Sequence, residues 1–243
     1  MKLTYVWVFY PSHRIKDLYN KQMKNKAYSL LKTLSLSFGC AIYLFTLSSQ
    51  AVLAKDQASK IKILFLGDSL TEGYGVEKKS AYPYVAADEL RKKNHNIEVI
   101  NGSVSGSTTA SGKSRLKWFS KAGPDYLFLA LGANDMLRGI QVDSSQKNLS
   151  EVIRLAKEKG MTVILAGMMA PPNYGKEYGD SFKSMYTKLA KLHDISLVPF
   201  LLEGVAGEKE FNQVDGIHPN KKGHQKMGEL VAKTIEPLLN QNK

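Results

Sequence analysis

Five short, continuous apolar runs alternate along the chain with segments of helical periodicity. The runs read KILFLG, IEVI, YLFLAL, TVILAG and ISLVPF, and they lie near Ile63, Val99, Leu129, Ile164 and Val198. Continuous apolar runs, in contrast to alternating ones, are typical of strands in a parallel sheet that is buried on both faces. We therefore predict an α/β fold with a five-stranded parallel sheet.

Three of the intervening segments carry apolar residues at helical spacing, within residues 149–156, 182–189 and 227–238. Gly160 supplies a stop after the first segment, and Asp180 is the predicted N-cap of the second. Strict alternation of strand and helix implies right-handed crossovers and a three-layer α/β/α sandwich. We expect the strand order 2-1-3-4-5, because it is common for five strands.

Ligands of such sheets bind beyond the carboxyl ends of the strands. Polar clusters follow four of the five runs: residues 67–70, 101–106 and 132–135 after the first three, and residues 215–219 after the fifth and a longer loop. We expect all four clusters to meet at one edge of the sheet.

Ser69 is the candidate nucleophile in the first cluster. A serine on a tight turn between a strand and a helix exposes its hydroxyl group. Gly73 and Gly75 follow closely and disfavour a long helix. The structural alternative is a capping box, in which Ser69 and Glu72 only cap a helix.

Asp215 and His218 are the candidate partners of this serine, whose hydroxyl needs a base close by. The Asp-Gly pair indicates a turn, and a turn brings residues i and i+3 to within ~7 Å between Cα atoms. Pro219 keeps His218 out of helical geometry. Asp215 can then hold Nδ1–H of His218 while Nε2 faces Ser69.

Acyl transfer also requires donors for the developing oxyanion. Gly106 offers a backbone N–H with no side chain in the way, and Asn134 offers a side-chain amide. Both residue types are also common as turn formers at strand ends, so neither identifies a site by itself.

Taken in order, these clusters resemble the SGNH, or GDSL, hydrolase family: a Gly-Asp-Ser, a lone Gly, a Gly-x-Asn-Asp and an Asp-x-x-His. Ser69, Gly106, Asn134 and His218 match the four positions, with Asp215 as the acid. The stretches GDSLTEGYGV, NGSVSGSTT, LGANDMLRGI, PPNYGKEYGDSF and VDGIHPN resemble the bacterial branch of multifunctional thioesterases, lysophospholipases and arylesterases.

The resemblance implies a flavodoxin-like fold, no metal, no cofactor, and an oxyanion hole made of the Ser69 N–H, the Gly106 N–H and the Asn134 amide. It implies hydrolysis of small-molecule esters and thioesters or of lysolipids, and we expect a monomer. Within the loop 171–175, Asn173 and Tyr174 are the predicted substrate-binding residues. A carbohydrate O-acetylesterase uses the same residues and stays open as an alternative.

Other motifs point to different chemistry. GSTTASGKS, from Gly106, looks like a phosphate-binding loop, but five residues instead of four precede its second glycine. A non-catalytic, flavodoxin-like nucleotide-binding module is a separate alternative of a different class. Ser114 and Lys117 fit the Ser-x-x-Lys of penicillin-binding enzymes, but neither Ser-Asp-Asn nor Lys-Thr-Gly occurs.

The remaining histidines after the leader carry no such pairing. His218 and His224 are spaced like no common zinc signature. We interpret His95, His193 and His224 as surface residues.

Residues 1–54 are predicted to be a leader. Three lysines (Lys24, Lys26 and Lys32) precede an uncharged, mostly apolar stretch at 33–47, and Val52-Leu53-Ala54 offers small residues for cleavage. We interpret Met23 as the true start and Lys55 as the mature N-terminus. The apolar run is about 15 residues, short of the ~20 that span a bilayer.

This leader predicts export to the periplasm or the medium, without stable membrane insertion of the mature chain. An uncleaved membrane anchor is the alternative. The rest, residues 55–243, has the length of one domain, which we predict to be the hydrolase domain.

Charge and cysteine content narrow the picture further. The net charge is +12, and residues 1–54 contribute seven Lys/Arg and one acidic residue, which leaves +6 for the mature chain. Its basic residues are scattered without interleaved aromatics, so we expect no nucleic-acid binding. The single cysteine, Cys40, lies in the leader, which excludes disulfides and a thiol nucleophile from the mature chain.

Overall fold

The five apolar runs form one parallel sheet with the strand order β2-β1-β3-β4-β5. The strands are β1 (Ile61–Gly67), β2 (Ile97–Asn101), β3 (Tyr126–Ala130), β4 (Thr162–Ala166) and β5 (Ser196–Val198). The predicted α/β class and strand order are therefore confirmed.

This computed structural model describes residues 21–24, 26 and 60–241. The predicted apolar leader stretch and the cleavage site after Ala54 lie outside those residues. In the part of the chain that is described, no helix combines the length and the apolar character needed to cross a bilayer.

Seven α-helices follow within residues 60–241. They are α1 (Ser69–Glu72), α2 (Tyr82–Lys92), α3 (Gly112–Phe119), α4 (Ala133–Leu137), α5 (Val142–Glu158), α6 (Lys176–His193) and α7 (Lys221–Gln241). On one side of the sheet α2 packs against α7, and on the other α5 packs against α3 and α6. The sheet is thus the middle of three layers.

Burial on both faces of the sheet explains why apolar and polar residues do not alternate along the strands. Ile63, Leu64, Phe65 and Leu66 of β1 are all buried, and their side chains point alternately to the two faces of the sheet. Because helices cover both faces, each of these positions has to be apolar.

One helix start differs from its prediction. The helix α5 ends at Glu158, just before Gly160 as predicted, but α6 begins at Lys176 and not behind Asp180. Asp180 lies one turn inside α6 and pairs with Lys176. The chain enters the helix through Gly175, whose φ of 83° is not helical, and this residue marks the true boundary.

Candidate active site

A cleft of about 690 Å³ opens at the carboxyl edge of the sheet. Ser69, Gly106, Asn134 and His218 all line it. The four polar clusters therefore meet at one place, although up to 149 positions separate their members in the chain.

The turn after β1 places Ser69 at the first position of α1. The N-cap is Asp68, whose Oδ1 accepts a hydrogen bond of 3.1 Å from the Leu70 N–H. Glu72 bonds Ser105 and not the start of its own helix, so the capping-box alternative is wrong. A Cβ at Gly67 would meet Thr71 Oγ1 at 2.1 Å, which explains why this tight turn requires glycine.

Ser69, His218 and Asp215 form a continuous hydrogen-bonded chain. His218 Nε2 lies 2.9 Å from Ser69 Oγ, and His218 Nδ1 lies 2.7 Å from Asp215 Oδ2. Because the ionised Asp215 can only accept, it selects the tautomer with the proton on Nδ1. Nε2 is then free to accept the Ser69 proton, which is the arrangement that activates a serine.

Asp215 stays ionised over a wide range of pH. Three donors lower its pKa to about 2: the His218 backbone N–H, the His218 ring and the Ile217 backbone N–H. The two backbone bonds to its Oδ1 measure 3.0 and 2.9 Å. The ring of Tyr74 lies 4.7 Å from that of His218 and covers it on one side.

The predicted oxyanion donors come from three separate elements. Ser69 opens α1, Asn134 lies in the first turn of α4, and Gly106 lies on the loop after β2. Gly106 has a φ of 76°, a conformation that favours glycine. Its carbonyl accepts a bond from Arg138, and its N–H has no protein acceptor among residues 60–241.

Asp68 lies beneath these donors and is 2% exposed. Its Oδ2 accepts a bond of 3.3 Å from Asn134 Nδ2, which leaves the second amide hydrogen of Asn134 available. Burial raises the pKa of Asp68 to about 6, against the lowering effects of the Leu70 N–H and of Asn134. Sequence reasoning assigned this residue no role, because its burial depends on the surrounding elements.

The rest of the cleft is mostly apolar. Besides the polar residues named above, its lining includes Met136, Leu137, Met168, Met169, Ala170, Pro171, Pro172, Phe200, Leu202, Ala206 and Ile217. Such a surface accommodates an apolar acyl or aryl group better than a sugar. Met168 and Met169 follow β4 almost directly. The rule that ligands bind beyond the carboxyl ends of the strands therefore applies to them as well.

Asn173 and Tyr174 lie on a short 3₁₀ turn, Pro172–Tyr174. The cleft lining reaches Pro171 and Pro172 but not these two residues. The ring of Tyr174 instead lies 6.2 Å from that of Tyr178 on α6. A contact of Asn173 or Tyr174 with substrate stays a prediction.

The GSTTASGKS stretch does not form a phosphate-binding loop. Lys113 lies on α3, and its Nζ pairs with Glu151 Oε1 at 2.6 Å on the surface. The Thr109 N–H donates to Asp135 Oδ2 at 2.9 Å, so a buried carboxylate of the protein already occupies the turn. Within this stretch only Gly106 lines the cleft.

The surface prediction is wrong for two of the remaining histidines, His95 and His224, which are both buried. His224 lies on α7 where this helix packs against α2, and His95 lies between α2 and β2. His224 Nδ1 accepts a bond of 3.3 Å from the Tyr82 N–H, and burial lowers the pKa of His224 to about 4. Among the residues that the structure describes, no three His, Cys, Asp or Glu side chains are grouped to hold a metal ion.

Comparisons with known proteins identify the family of this chain. Residues 65–226 match the GDSL-like lipase/acylhydrolase family. The chain is 40% identical over 183 residues to an arylesterase of Vibrio mimicus, which covers 75% of this chain and 91% of that protein. It is 35% identical over 179 residues to thioesterase 1/protease 1/lysophospholipase L1 of Escherichia coli (strain K12), covering 73% and 85% of the two chains.

A solved structure of TesA extends the similarity to the fold. It shares 34% sequence identity with a TM-score of 0.70, over 73% of this chain and 99% of that one. Because these matches cover most of the chain, it belongs to the GDSL-like lipase/acylhydrolase family and is an esterase.

Proposed function

We propose that this esterase is an exported serine hydrolase that cleaves carboxylic ester and thioester bonds through an acyl-enzyme. The observation that carries the proposal is the contact of 2.9 Å between Ser69 Oγ and His218 Nε2 at the wall of an apolar cleft. The 2.7 Å contact of His218 with Asp215 supports it.

The first half of the reaction acylates Ser69. Its Oγ attacks the substrate carbonyl carbon while His218 Nε2 takes the hydroxyl proton. The carbonyl oxygen becomes negatively charged, and the Ser69 N–H, the Gly106 N–H and the Asn134 amide donate to it. The intermediate collapses when the bond to the leaving oxygen or sulfur breaks and His218 returns its proton to that atom.

The second half releases the acid. Water takes the place of the leaving alcohol or thiol, and His218 Nε2 accepts a proton from it as it attacks the acyl carbon. The same three donors hold the second oxyanion. When the bond to Ser69 Oγ breaks, His218 protonates this oxygen, and the free enzyme is restored.

The substrate class rests on the cleft and on the relatives. The cleft wall is made chiefly of methionine, leucine, proline and phenylalanine side chains, which suit an acyl chain or an aryl ring. One relative is an arylesterase, and another is named for thioesterase and lysophospholipase activities. We propose small esters, thioesters and lysolipids as substrates of this chain, with the protein acting as a monomer.

Export is a separate part of the proposal and rests on the leader motif alone. Cleavage after Ala54 would give a mature protein that begins at Lys55. Intact-mass measurement of protein recovered from the periplasm or the medium tests this directly. A retained stretch 33–47 would contradict cleavage and favour the uncleaved anchor.

The Ser69→Ala variant tests the catalytic assignment. A methyl group cannot be acylated, so we expect a folded protein that has lost nearly all turnover of an aryl ester and no longer reacts with a fluorophosphonate probe. Full turnover by the folded variant would refute the assignment.

A substrate panel tests the class. Aryl esters, acyl-CoAs, lysophospholipids and acetylated sugars should be compared under one set of conditions. We expect the first three to be cleaved with higher kcat/KM than the acetylated sugars. The reverse order would favour the carbohydrate O-acetylesterase alternative.

A further inference from the structure

The three oxyanion donors differ in how firmly the backbone holds them. Ser69 and Asn134 lie on helices that directly follow buried strands, whereas Gly106 lies on a loop. The preceding residues of that loop are partly tied to β1, with the Gly102 N–H bonded to the Phe65 carbonyl at 2.9 Å and the Val104 N–H to the Gly67 carbonyl at 3.3 Å. An oxyanion donor is effective only within a few tenths of an ångström of its position. The loop donor therefore needs further support.

Glu72 reaches this loop from α1. Its Oε2 accepts a bond of 2.7 Å from the Ser105 backbone N–H and a second bond from the Ser105 hydroxyl. Ser105 supplies the carbonyl half of the peptide group whose N–H belongs to Gly106. A single carboxylate thus fixes the residue on the N-terminal side of the donor.

Arg138 holds the other side. Its Nη2 donates a bond of 3.0 Å to the Gly106 carbonyl oxygen. Arg138 directly follows α4, the helix that carries Asn134, and Glu72 ends α1, the helix that carries Ser69. Two charged side chains therefore tie the loop donor to the elements of the other two donors.

We propose that Glu72 is a positioning residue of the oxyanion hole: it orients the Ser105–Gly106 peptide so that its N–H points to the developing oxyanion. The inference rests on the proposed function of Ser69 and Gly106. Glu72 and Ser105 are both exposed, and exposed charge-assisted contacts add little to the free energy of unfolding. The effect of Glu72 should therefore fall on catalysis and not on stability.

The experiment compares Glu72→Ala, Glu72→Gln and a matched control, Glu151→Ala. Glu151 is a partly exposed glutamate with a short contact, 2.6 Å to Lys113, but it lies on α5 outside the cleft lining. The quantities measured are kcat and KM on an aryl ester, the melting temperature, and the inhibition constant of phenylboronic acid. Ser69 Oγ adds to the boron of this inhibitor and passes its proton to His218, so the tetrahedral adduct presents a B–O group to the oxyanion hole.

We expect Glu72→Ala to lower kcat by about 10- to 100-fold, less than removal of a donor but consistent with its misplacement. The KM should stay within about twofold, because the ground-state carbonyl gains little from the hole. The affinity for phenylboronic acid should fall in parallel with kcat. Glu72→Gln should regain most of the activity, since its amide oxygen can still accept from the Ser105 N–H.

Several results would overturn the inference. One is a kcat of Glu72→Ala within about twofold of that of wild type and of Glu151→Ala. Another is a loss that appears only in KM, or a large fall in melting temperature that Glu72→Gln shares, since either would mean a structural role. Ser69→Ala is assayed alongside: if it keeps turnover, the proposed function itself fails. If it is inactive while Glu72→Ala is unaffected, only the inference about Glu72 fails.

Discussion

The two halves of the active site are built on contrasting parts of the molecule. The oxyanion half uses turns that leave buried strands, and its Asp68 and Asp135 are 2% and 1% exposed. The acid–base half lies on a loop whose Val214 is fully exposed and whose Ile217 is 55% exposed. The candidate site therefore joins a half that extends from buried strands to a half that lies on an exposed loop.

The exposed half is held chiefly by hydrogen bonds. Asn212 and Pro219 form an antiparallel bridge at its base, and the Gln213 N–H donates to the His218 carbonyl at 2.8 Å. The Gln213 amide also donates to the Tyr74 carbonyl at 2.8 Å, which ties the loop to the turn after α1. Changes in this half should affect activity with little effect on folding, whereas a change at the buried Asp68 or at its partner Asn134 should affect both.

The same contrast separates the two aspartates. Burial raises the pKa of Asp68 to about 6, and three hydrogen bonds at the surface lower that of Asp215 to about 2. One residue type thus has two electrostatic roles, and the environment that the fold provides decides which.

The largest effect is expected for His218→Ala. Loss of the base should lower kcat by on the order of 10⁴-fold or more. The loop is largely exposed, and the substitution removes the ring contact with Tyr74 and the ring bond to Asp215, so the free energy of unfolding should fall by no more than about 1 kcal/mol. Steady-state kinetics and urea unfolding measure both quantities. Substantial unfolding of this variant would mean that the exposed half contributes to the core after all.

Asn134→Ala should lower kcat by on the order of 10²–10³-fold, the usual cost of one oxyanion donor. It should also lower the free energy of unfolding by about 1–3 kcal/mol, because the buried Asp68 loses a hydrogen-bond donor. The same two assays apply. Activity near that of wild type would refute the role of Asn134, and unchanged stability would weaken the contrast between the halves.

The pH dependence of stability should have opposite signs at the two aspartates. The native pKa of Asp68, about 6, lies above the ordinary 3.8, so between these values the native state binds more protons than the unfolded state. Relative to Asp68→Asn, the wild type should therefore lose about 3 kcal/mol of stability as the pH rises from about 4 to 7.

For Asp215 the native pKa, about 2, lies below the ordinary 3.8. Its contribution, measured against Asp215→Asn, should be present above about pH 4 and disappear as the pH falls toward 2. Denaturant unfolding at a series of pH values measures both differences. Curves of the same sign for the two aspartates would contradict the contrast.

The smallest effect is expected for Lys113→Ala. Its exposed pair with Glu151 lies outside the cleft lining, so kcat/KM should stay within a few-fold, as is usual for surface changes. Calorimetry should detect no ATP binding by the wild type. Binding of ATP that Lys113→Ala abolishes would restore the nucleotide-binding alternative.

Much of the fold could be predicted because each strand has its own local pattern of apolar residues. A continuous apolar run requires burial on both faces, and the residues that follow it must lie at the carboxyl edge, so the meeting of Ser69, Gly106, Asn134 and His218 followed from position alone. The predicted start of α6 at Asp180 is wrong because Asp180 pairs with Lys176 at i,i+4, inside the helix.

Other features depended on neighbours that are distant in sequence. Glu72 and Ser105 are 33 positions apart and Asp68 and Asn134 are 66, so neither contact has a local signal. His224 looked like a surface residue in a lysine-rich stretch, and only the packing of α7 against α2 buries it. The sequence by itself determined which residues reach the edge of the sheet, because strand ends are set by local patterns. Only the tertiary structure decided which of them are buried, charged or held in place, because burial and hydrogen-bond partners depend on the elements packed around them.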